Sequence, residues 1–326
     1  MTPHEFVRRL IPHRNAPQVQ HGQAWAPVNI ALAKYWGKRD TALNLPQNSS
    51  LSISLPQLGT DTRVTLIEGA DRITLNGQPA PQAFAQRLSR FLDLFRPEGM
   101  GFAVETHNSV PTAAGLASSA SGFAALVKAL DQLFDWRLSA QKLSMLARLG
   151  SGSASRSLFN GFALWHRGQQ TDGLDSYAEP IDIQWPDLRI GLLEIDTGTK
   201  PISSTAGMQQ TVATCPLYRA WPEFAEASVQ AQLAAITARD LPQLGDLAEH
   251  NALTMHATMI ATHPSVLYWT ADSVSAMQQI WALRQQGVGV WFTMDAGPNL
   301  KLLFEKTDQR AVEATFPTLK TLVPFG

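Results

Sequence analysis

The sequence predicts a two-domain protein of mixed α and β structure, and three observations point there. A chain of 326 residues has room for two domains of ordinary size. Up to residues 185–200, short strand-like runs interleave with amphipathic helical stretches. Beyond them the chain turns mostly helical before closing on two further strand-like runs. Hydrophobic residues make up 44% and charged residues 16%, enough apolar material for a sizeable core and too much for a disordered chain.

Taken in order, residues 1–22 read as an appendage punctuated by Pro3, Pro12 and Pro17, with a short helix over Glu5–Leu10. Its histidines, His4, His13 and His21, are too irregularly spaced for a metal site. The stretch from Trp25 to Leu55 is mixed until Ser50–Leu55, whose strict alternation predicts a half-buried strand. Thr62–Ile67 and Arg72–Leu75 read as two more strands, the latter leading into a hairpin turn at Asn76-Gly77. A helix over Pro81–Phe95 carries Phe84, Leu88, Phe91, Leu92 and Phe95 on one face. A strand over Gly101–Thr106 follows, then helices over 115–134 and Ser139–Leu149, with Ser139 as N-cap. Gly161–Trp165 and Arg189–Ile195 read as strands. Helices are predicted over Tyr218–Ala238, Leu241–Ala261 and Ser273–Gln286, then strands over Val288–Thr293 and Leu300–Phe304.

Composition narrows function. The formal net charge is −1 and the pI about 6.7, without the basic excess of a general nucleic-acid binder. One cysteine, Cys215, excludes an intramolecular disulfide and a multi-cysteine metal site. No apolar run reaches membrane-spanning length, and the first residues lack the apolar core of a secretory signal. These features lead to the expectation of a soluble, cytoplasmic protein with a small-molecule ligand, and with neither nucleic acid nor membrane as partner.

Five segments carry the chemistry. Pro111-Thr-Ala-Ala-Gly-Leu-Ala-Ser-Ser-Ala-Ser-Gly122 follows a strand and opens a helix. Small side chains there admit a phosphate to the backbone amides and to the positive helix end. Ser118, Ser119 and Ser121 add hydroxyls for phosphate or Mg²⁺, although no Gly-Lys-Ser/Thr closes a Walker loop. The same run also suits tight helix packing. Gly150-Ser-Gly-Ser-Ala-Ser-Arg156 is a donor-rich loop whose arginine can clamp a carboxylate or phosphate, or simply face solvent. Asn29-Ile-Ala-Leu-Ala-Lys-Tyr-Trp-Gly-Lys38 sets two lysines four apart among aromatics, suited to an anion with a hydrocarbon body or to ordinary snorkelling. Asp295 ends an apolar strand ahead of a Gly-Pro turn, placed for general base work or for turn capping. Gly198–Met208 offers further hydroxyls, or is a plain loop.

Together these segments closely resemble the mevalonate diphosphate decarboxylases of the GHMP kinase superfamily, over residues 24–305. The Pro-x-x-x-Gly-Leu-x-Ser-Ser-Ala loop marks the superfamily. Ala33-Lys-Tyr-Trp-Gly-Lys38, Gly150–Arg156 and Asp295-Ala-Gly-Pro-Asn299 mark the decarboxylases. The resemblance implies a GHMP kinase fold. An N-terminal domain like ribosomal protein S5 domain 2 (residues 23–190, after an extension over 1–22) would carry the ATP loop. A ferredoxin-like α+β domain (191–326) would follow, with the active site between them.

It also implies the reaction: ATP and Mg²⁺ serve to phosphorylate the 3-hydroxyl of mevalonate 5-diphosphate, and loss of phosphate and CO₂ leaves isopentenyl diphosphate. By resemblance Asp295, Arg156 and Lys38 are catalytic. Asn29, Tyr35, Lys38, Ser151, Ser153, Arg156, Ser204, Thr205 and Met208 line the substrate site. Pro111, Ala114, Gly115, Leu116, Ala117, Ser118, Ser119 and Ser121 hold the nucleotide, with Ser118 on Mg²⁺. Homodimers are common among such proteins. Two departures stand out: an extension of 22 residues longer than most relatives carry, and Thr205 where some bacterial members have arginine. Relatives that use mevalonate 5-phosphate, or stop at 3-phosphorylation, are the alternative.

Overall fold

One long strand organises the first half of the chain. The structure, a computed structural model, describes residues 1–11, 17, 19–109, 118–196, 198 and 202–325. A first helix, α1 (Pro3–Leu10), is closed by a capping box in which Thr2 Oγ1 accepts from the Glu5 amide and Glu5 accepts from the Thr2 amide. Strand β1 (Gly22–Ala33) then lies antiparallel along β4 (Ser50–Glu68), with the small pair β2 (Lys38–Asp40) and β3 (Leu45–Pro46) between them in sequence.

The expectation of separate strands at 50–55 and 62–67 is corrected. Pro56 and Gly59 interrupt the alternation, yet β4 runs on, because β1 shifts register between Pro27 and Val28 and leaves Pro56–Leu58 as a bulge. Strands β5 (Arg72–Leu75) and β6 (Gln78–Pro79) form the expected hairpin, with Asn76 and Gly77 at φ of 52° and 78°. After α2 (Gln82–Leu92), β7 (Met100–Asn108) pairs with the far half of β4. Helices α3 (Ser118–Phe134) and α4 (Ala140–Gly150) follow, and Ser139 Oγ caps α4 by accepting from the Lys142 amide. A tight turn over Gly152–Ser155 leads to β8 (Phe162–Trp165) and β9 (Ala178–Ile181). The sheet order is β6-β5-β7-β4-β8-β9, with β1 on the other edge of β4.

The second half centres on a four-stranded antiparallel sheet. Its strands are β10 (Leu188–Leu193), β11 (Val290–Met294), β12 (Leu300–Glu305) and β13 (Lys320–Leu322), in the order β11-β12-β10-β13. Helices α5 (Ser204–Thr214), α6 (Trp221–Ala238), α7 (Leu241–Ile260) and α8 (Ala271–Gln285) sit between β10 and β11, and α9 (Gln309–Thr315) precedes β13. The 198–208 segment is therefore not all loop: Ser203 accepts from the Ala206 amide and starts α5. None of the described helices is long and apolar enough to cross a membrane.

β1 joins the two halves. Ala26, with Val64 and Phe102, belongs to a core shared with α1, α2, α3 and α4. Val28, Ile30 and Leu32 belong to a second core with Val229 of α6, Leu244 of α7 and Leu303 of β12. Residues Ala26–Ala33 are consequently all buried, without the alternation of a one-faced strand. Each large aliphatic side chain so buried contributes about 1.5–3 kcal/mol before entropy is counted. That burial fixes the end of β1 at the junction of the two halves, where the cleft lies.

Candidate active site

The cleft is assembled from the end of β1, the loop that follows it, the 150–156 turn, the start of α5 and the turn after β11. It gathers Asn29, Tyr35, Lys38, Ser151, Ser153, Arg156, Ser204, Thr205, Met208, Ser119 and Asp295 into one lining. Residues as far apart in sequence as Asn29 and Asp295 therefore face one space.

Asp295 leaves β11 into a turn that is locked from three sides. Asn299 Oδ1 accepts from the Ile195 and Asp196 amides at 2.7 and 2.9 Å. Ser273 Oγ donates to Pro298 O at 2.9 Å. His256 Nε2 donates to the carbonyl of Asp295 at 3.0 Å. Burial pushes His256 down to about 3, so it is neutral at physiological pH and acts here as a fixed donor.

The carboxylate of Asp295 faces two ammonium groups. Lys34 Nζ is 2.9 Å from Oδ1 and also donates to Ala31 O at 2.8 Å. Lys301 Nζ is 3.6 Å from Oδ2. Both lysine side chains are almost wholly buried, whereas Asp295 is about one-third exposed and so meets the cleft. Burial lowers Lys34 to about 8; Asp295 opposes the shift, and Lys301 and Arg156 add to it.

Arg156 closes the opposite wall. Its Nη1 donates to Ser50 Oγ, its Nη2 donates to Asn29 Oδ1 at 3.3 Å, and the guanidinium lies 5.9 Å from the Trp165 ring centroid. Its Nε is buried without a hydrogen-bond partner among the described residues. Burial lowers the Arg156 pKa to about 10, with Asp295 pulling the other way. Asn29 Nδ2 in turn donates to Ser153 O and Ser157 Oγ, at 3.1 and 2.7 Å, tying β1 to the 150–156 turn.

Tyr35 and Lys38 occupy the far end. The Tyr35 ring stands edge-on to Trp165 at 4.8 Å, its hydroxyl is buried without a described partner, and desolvation raises its pKa. Gly152 makes this fit possible, because a Cβ there would lie 2.7 Å from Tyr35 and 2.9 Å from Trp165. Lys38 Nζ donates to Asn44 Oδ1 at 2.6 Å, and burial, then Arg87, lowers its pKa. Ser151 and Ser153 bring their hydroxyls within 3.3 Å of each other.

Beside the cleft lies an apolar cavity lined by Phe84, Leu88, Val104, Phe123 and Leu126, with Thr62, Thr106 and Asn108 as polar edges. Arg87 and Ser119 line both spaces. Arg87 donates to Gly150 O at 2.9 Å and lies 5.0 Å from the Phe123 ring centroid. Ser121 lines neither space: its Oγ is 2.7 Å from Thr60 Oγ1, so the hydroxyl is turned toward β4. Pro111, Ala114, Gly115, Leu116 and Ala117 lie outside the described residues, as does the side chain of Ser118.

Lys34, Arg87, Lys301 and Asn44 did not figure among the expected site residues. Lys34 was visible as the partner of Lys38 in the Lys-x-x-x-Lys spacing. The other three carry no local signal.

Comparison with known proteins gives this geometry its family. Residues 26–178 match the model of the diphosphomevalonate decarboxylase-like N-terminal domain, and residues 192–323 that of the mevalonate 5-diphosphate decarboxylase C-terminal domain. The chain belongs to the diphosphomevalonate decarboxylase family. The Candida albicans diphosphomevalonate decarboxylase is 38% identical over 308 residues, 88% of this chain and 85% of that protein. The Staphylococcus aureus mevalonate diphosphate decarboxylase superposes with a TM-score of 0.88 at 37% identity, covering 93% of this chain and 95% of that one. MDDEF, solved in complex with MVAPP, AMPPCP and magnesium, superposes with a TM-score of 0.88 at 39% identity, covering 93% and 96%. The fold is accordingly the two-domain GHMP kinase type, and the chain is a decarboxylase of that family.

Proposed function

We propose that the chain converts mevalonate 5-diphosphate to isopentenyl diphosphate by phosphorylating the 3-hydroxyl, with Asp295, Lys34 and Arg156 at the reacting centre. The observation that carries this is the Asp295–Lys34 pair facing Arg156 across a cleft whose other charged lining is cationic. In this reading Asp295 accepts the hydroxyl proton as the 3-oxygen bonds to the γ-phosphorus of ATP and ADP leaves. The C3–O bond then breaks and phosphate departs with its electron pair. The carboxylate's C–C bond breaks, CO₂ leaves, and those electrons form the new double bond. The departing phosphate is the electron sink, so no Schiff-base lysine is required.

Each remaining group has a task in this scheme. Arg156 offers its unpartnered Nε to the substrate carboxylate, and Asn29 fixes the guanidinium. Tyr35, Lys38, Ser151 and Ser153 hold the diphosphate, and Ser204, Thr205 and Met208 of α5 close over it. Lys34 pairs with Asp295 and orients it. Ser119 and Arg87 meet the nucleotide phosphates, a task the resemblance also gives to the Pro111–Ser118 motif, and the apolar cavity suits a purine ring. Mg²⁺ enters with the nucleotide. In this reading residues 23–190 and 191–326 supply the two walls of the cleft, and the resemblance points to the cytoplasm as compartment and to a homodimer as the assembly to test for.

The experiment is product analysis with mevalonate 5-diphosphate and mevalonate 5-phosphate in parallel, each with MgATP. Isopentenyl diphosphate, ADP, phosphate and CO₂ in equal amounts, from the diphosphate alone, support the reading. Turnover mainly of the monophosphate, or accumulation of a 3-phosphate, moves the chain to the alternative branch. Thr205 is the observation that keeps that branch in view, since α5 offers a hydroxyl there and no cation.

A further inference from the structure

Helix α1 lies ahead of the residues matched by the family's N-terminal domain model, 26–178, yet it is built into the core. Phe6, Val7 and Leu10 are buried in the same cluster as Leu43 and Leu45. Phe6 has a specific neighbour: its ring centroid is 5.0 Å from the guanidinium carbon of Arg148, on α4. Arg148 is fully buried and forms no ion pair among the described residues. Its Nε donates to Leu43 O at 3.0 Å, and its Nη1 donates to Gly173 O at 3.1 Å and to Ser176 O. A buried cation bonded only to carbonyl oxygens is costly; the charges of Asp175 and Asp40 offset part of that cost, and the negative face of the Phe6 ring offsets more.

The residue next to Leu43 leads to the active site. Asn44 has a φ of 52°, in the left-handed region that asparagine tolerates better than most non-glycine residues. Its Nδ2 donates to Arg148 O and Leu149 O, each at 2.9 Å. Its Oδ1 accepts from Lys38 Nζ at 2.6 Å. A continuous set of contacts therefore runs from Phe6 through Arg148 and Asn44 to Lys38.

We infer that α1 is a brace for the phosphate end of the substrate site, with Phe6 a positioning residue that acts on Lys38 through Arg148 and Asn44. The inference rests on the reading above, in which Lys38 holds the substrate's diphosphate. The ring shields the Arg148–carbonyl bonds from water, and those bonds hold the turn that carries Asn44. Without the ring, water competes for the guanidinium, the turn loosens, and Lys38 loses its fixed partner. Arg9, 3.2 Å from Asp172, is an exposed ion pair on the same helix and adds little to this hold.

The test compares two truncations in the full-length chain. Phe6→Ala and Leu10→Ala each remove a buried apolar side chain from α1, but only Phe6 stacks on Arg148. Phe6→Ala is expected to raise KM for mevalonate 5-diphosphate about three- to ten-fold, less than the full worth of a desolvated cation–ring contact because Phe6 reaches Lys38 only through Arg148 and Asn44, leaving kcat and the KM for ATP within about twofold. Leu10→Ala is expected to lower Tm without moving either KM. Asn44→Ala is expected to raise the same KM, and Phe6→Ala combined with it to add little, because both act through one set of contacts. Should Phe6→Ala fail to fold, Phe6→Leu keeps apolar bulk, removes the ring, and is read the same way. A lowered Tm with unchanged KM in the Phe6 variants would overturn the brace and leave α1 a core element only. If the wild-type chain releases no CO₂ from the diphosphate, the reading beneath the inference fails, and the brace fails with it.

Discussion

Lys34 Nζ meets Asp295 Oδ1 at 2.9 Å across a separation of 261 residues, and this pair joins the two halves of the molecule at the cleft. Lys34 follows β1, whose burial on both faces fixes it, and Asp295 follows β11, whose turn Asn299 and His256 lock. Neither group needs to move to find the other. That is the preorganisation that a reaction at a crowded tertiary hydroxyl requires.

The charge state of Lys34 links activity to pH. Burial lowers it from 10.5 to about 8, so the ammonium is intact below about 8 and lost as pH rises through it. kcat/KM is expected to fall on the alkaline side with an apparent pKa near 8. Stability runs the other way for this group. Between about 8 and 10.5 the unfolded chain binds the proton that the folded chain has released, so this contribution to stability rises with pH. Melting curves recorded alongside the rate profile separate the two effects, and Lys34→Arg, which stays charged, is expected to lose the alkaline limb.

Arg156→Lys keeps a positive charge and removes the fork. Loss of a charge-assisted contact of about 1.5–3 kcal/mol predicts a fall of about 10- to 150-fold in kcat/KM for the diphosphate. Binding of MgATP, measured by calorimetry, is expected to hold, because Arg156 lines the cleft and not the apolar cavity.

Arg87→Ala is expected to do the reverse. Arg87 bridges both spaces, so its loss should raise the KM for ATP about tenfold, a typical return for one charge-assisted phosphate contact, with little change in the KM for mevalonate 5-diphosphate. Initial rates with each substrate varied in turn check the split.

Gly152→Ala places a Cβ 2.7 Å from Tyr35. Overpacking of this kind costs about 1–3 kcal/mol, so Tm is expected to drop. The displaced Tyr35 ring is expected to raise the KM for the diphosphate as well, which a purely structural glycine would not do. Steady-state kinetics and a thermal melt on the same preparation settle the two parts.

Much of this architecture was legible in the residues, and the gaps have physical causes. Ser139 announced α4, and Asn76-Gly77 announced the β5–β6 hairpin, because caps and turns are written in local side-chain chemistry. β1 was not legible, because a strand buried on both faces shows no alternation. α5 was not either: three Thr, a Val, a Ser and a Gly among the eleven residues of Ser204–Thr214 weaken the helical signal that its Ala, Met and Gln carry, and packing decides its state. Arg156, Tyr35 and Asp295 came together as the motifs implied. Lys34 was passed over because a lysine among apolar residues ordinarily reaches for solvent, and its partner lies far along the chain. Arg87 and Lys301 have no local signature, since their places are set by tertiary packing alone.

Whether Asp295 takes the hydroxyl proton is read from CO₂ release from carboxyl-labelled mevalonate 5-diphosphate with MgATP, by the wild-type chain and by Asp295→Ala. Removing the carboxylate leaves the buried Lys34 and Lys301 ammonium groups without their counter-charge, so the variant is expected to melt lower than wild type, and its activity is read well below its own Tm. Its CO₂ release is expected to fall by at least about 100-fold, as befits loss of a general base. Release within a few-fold of wild type from a folded variant would contradict the assignment.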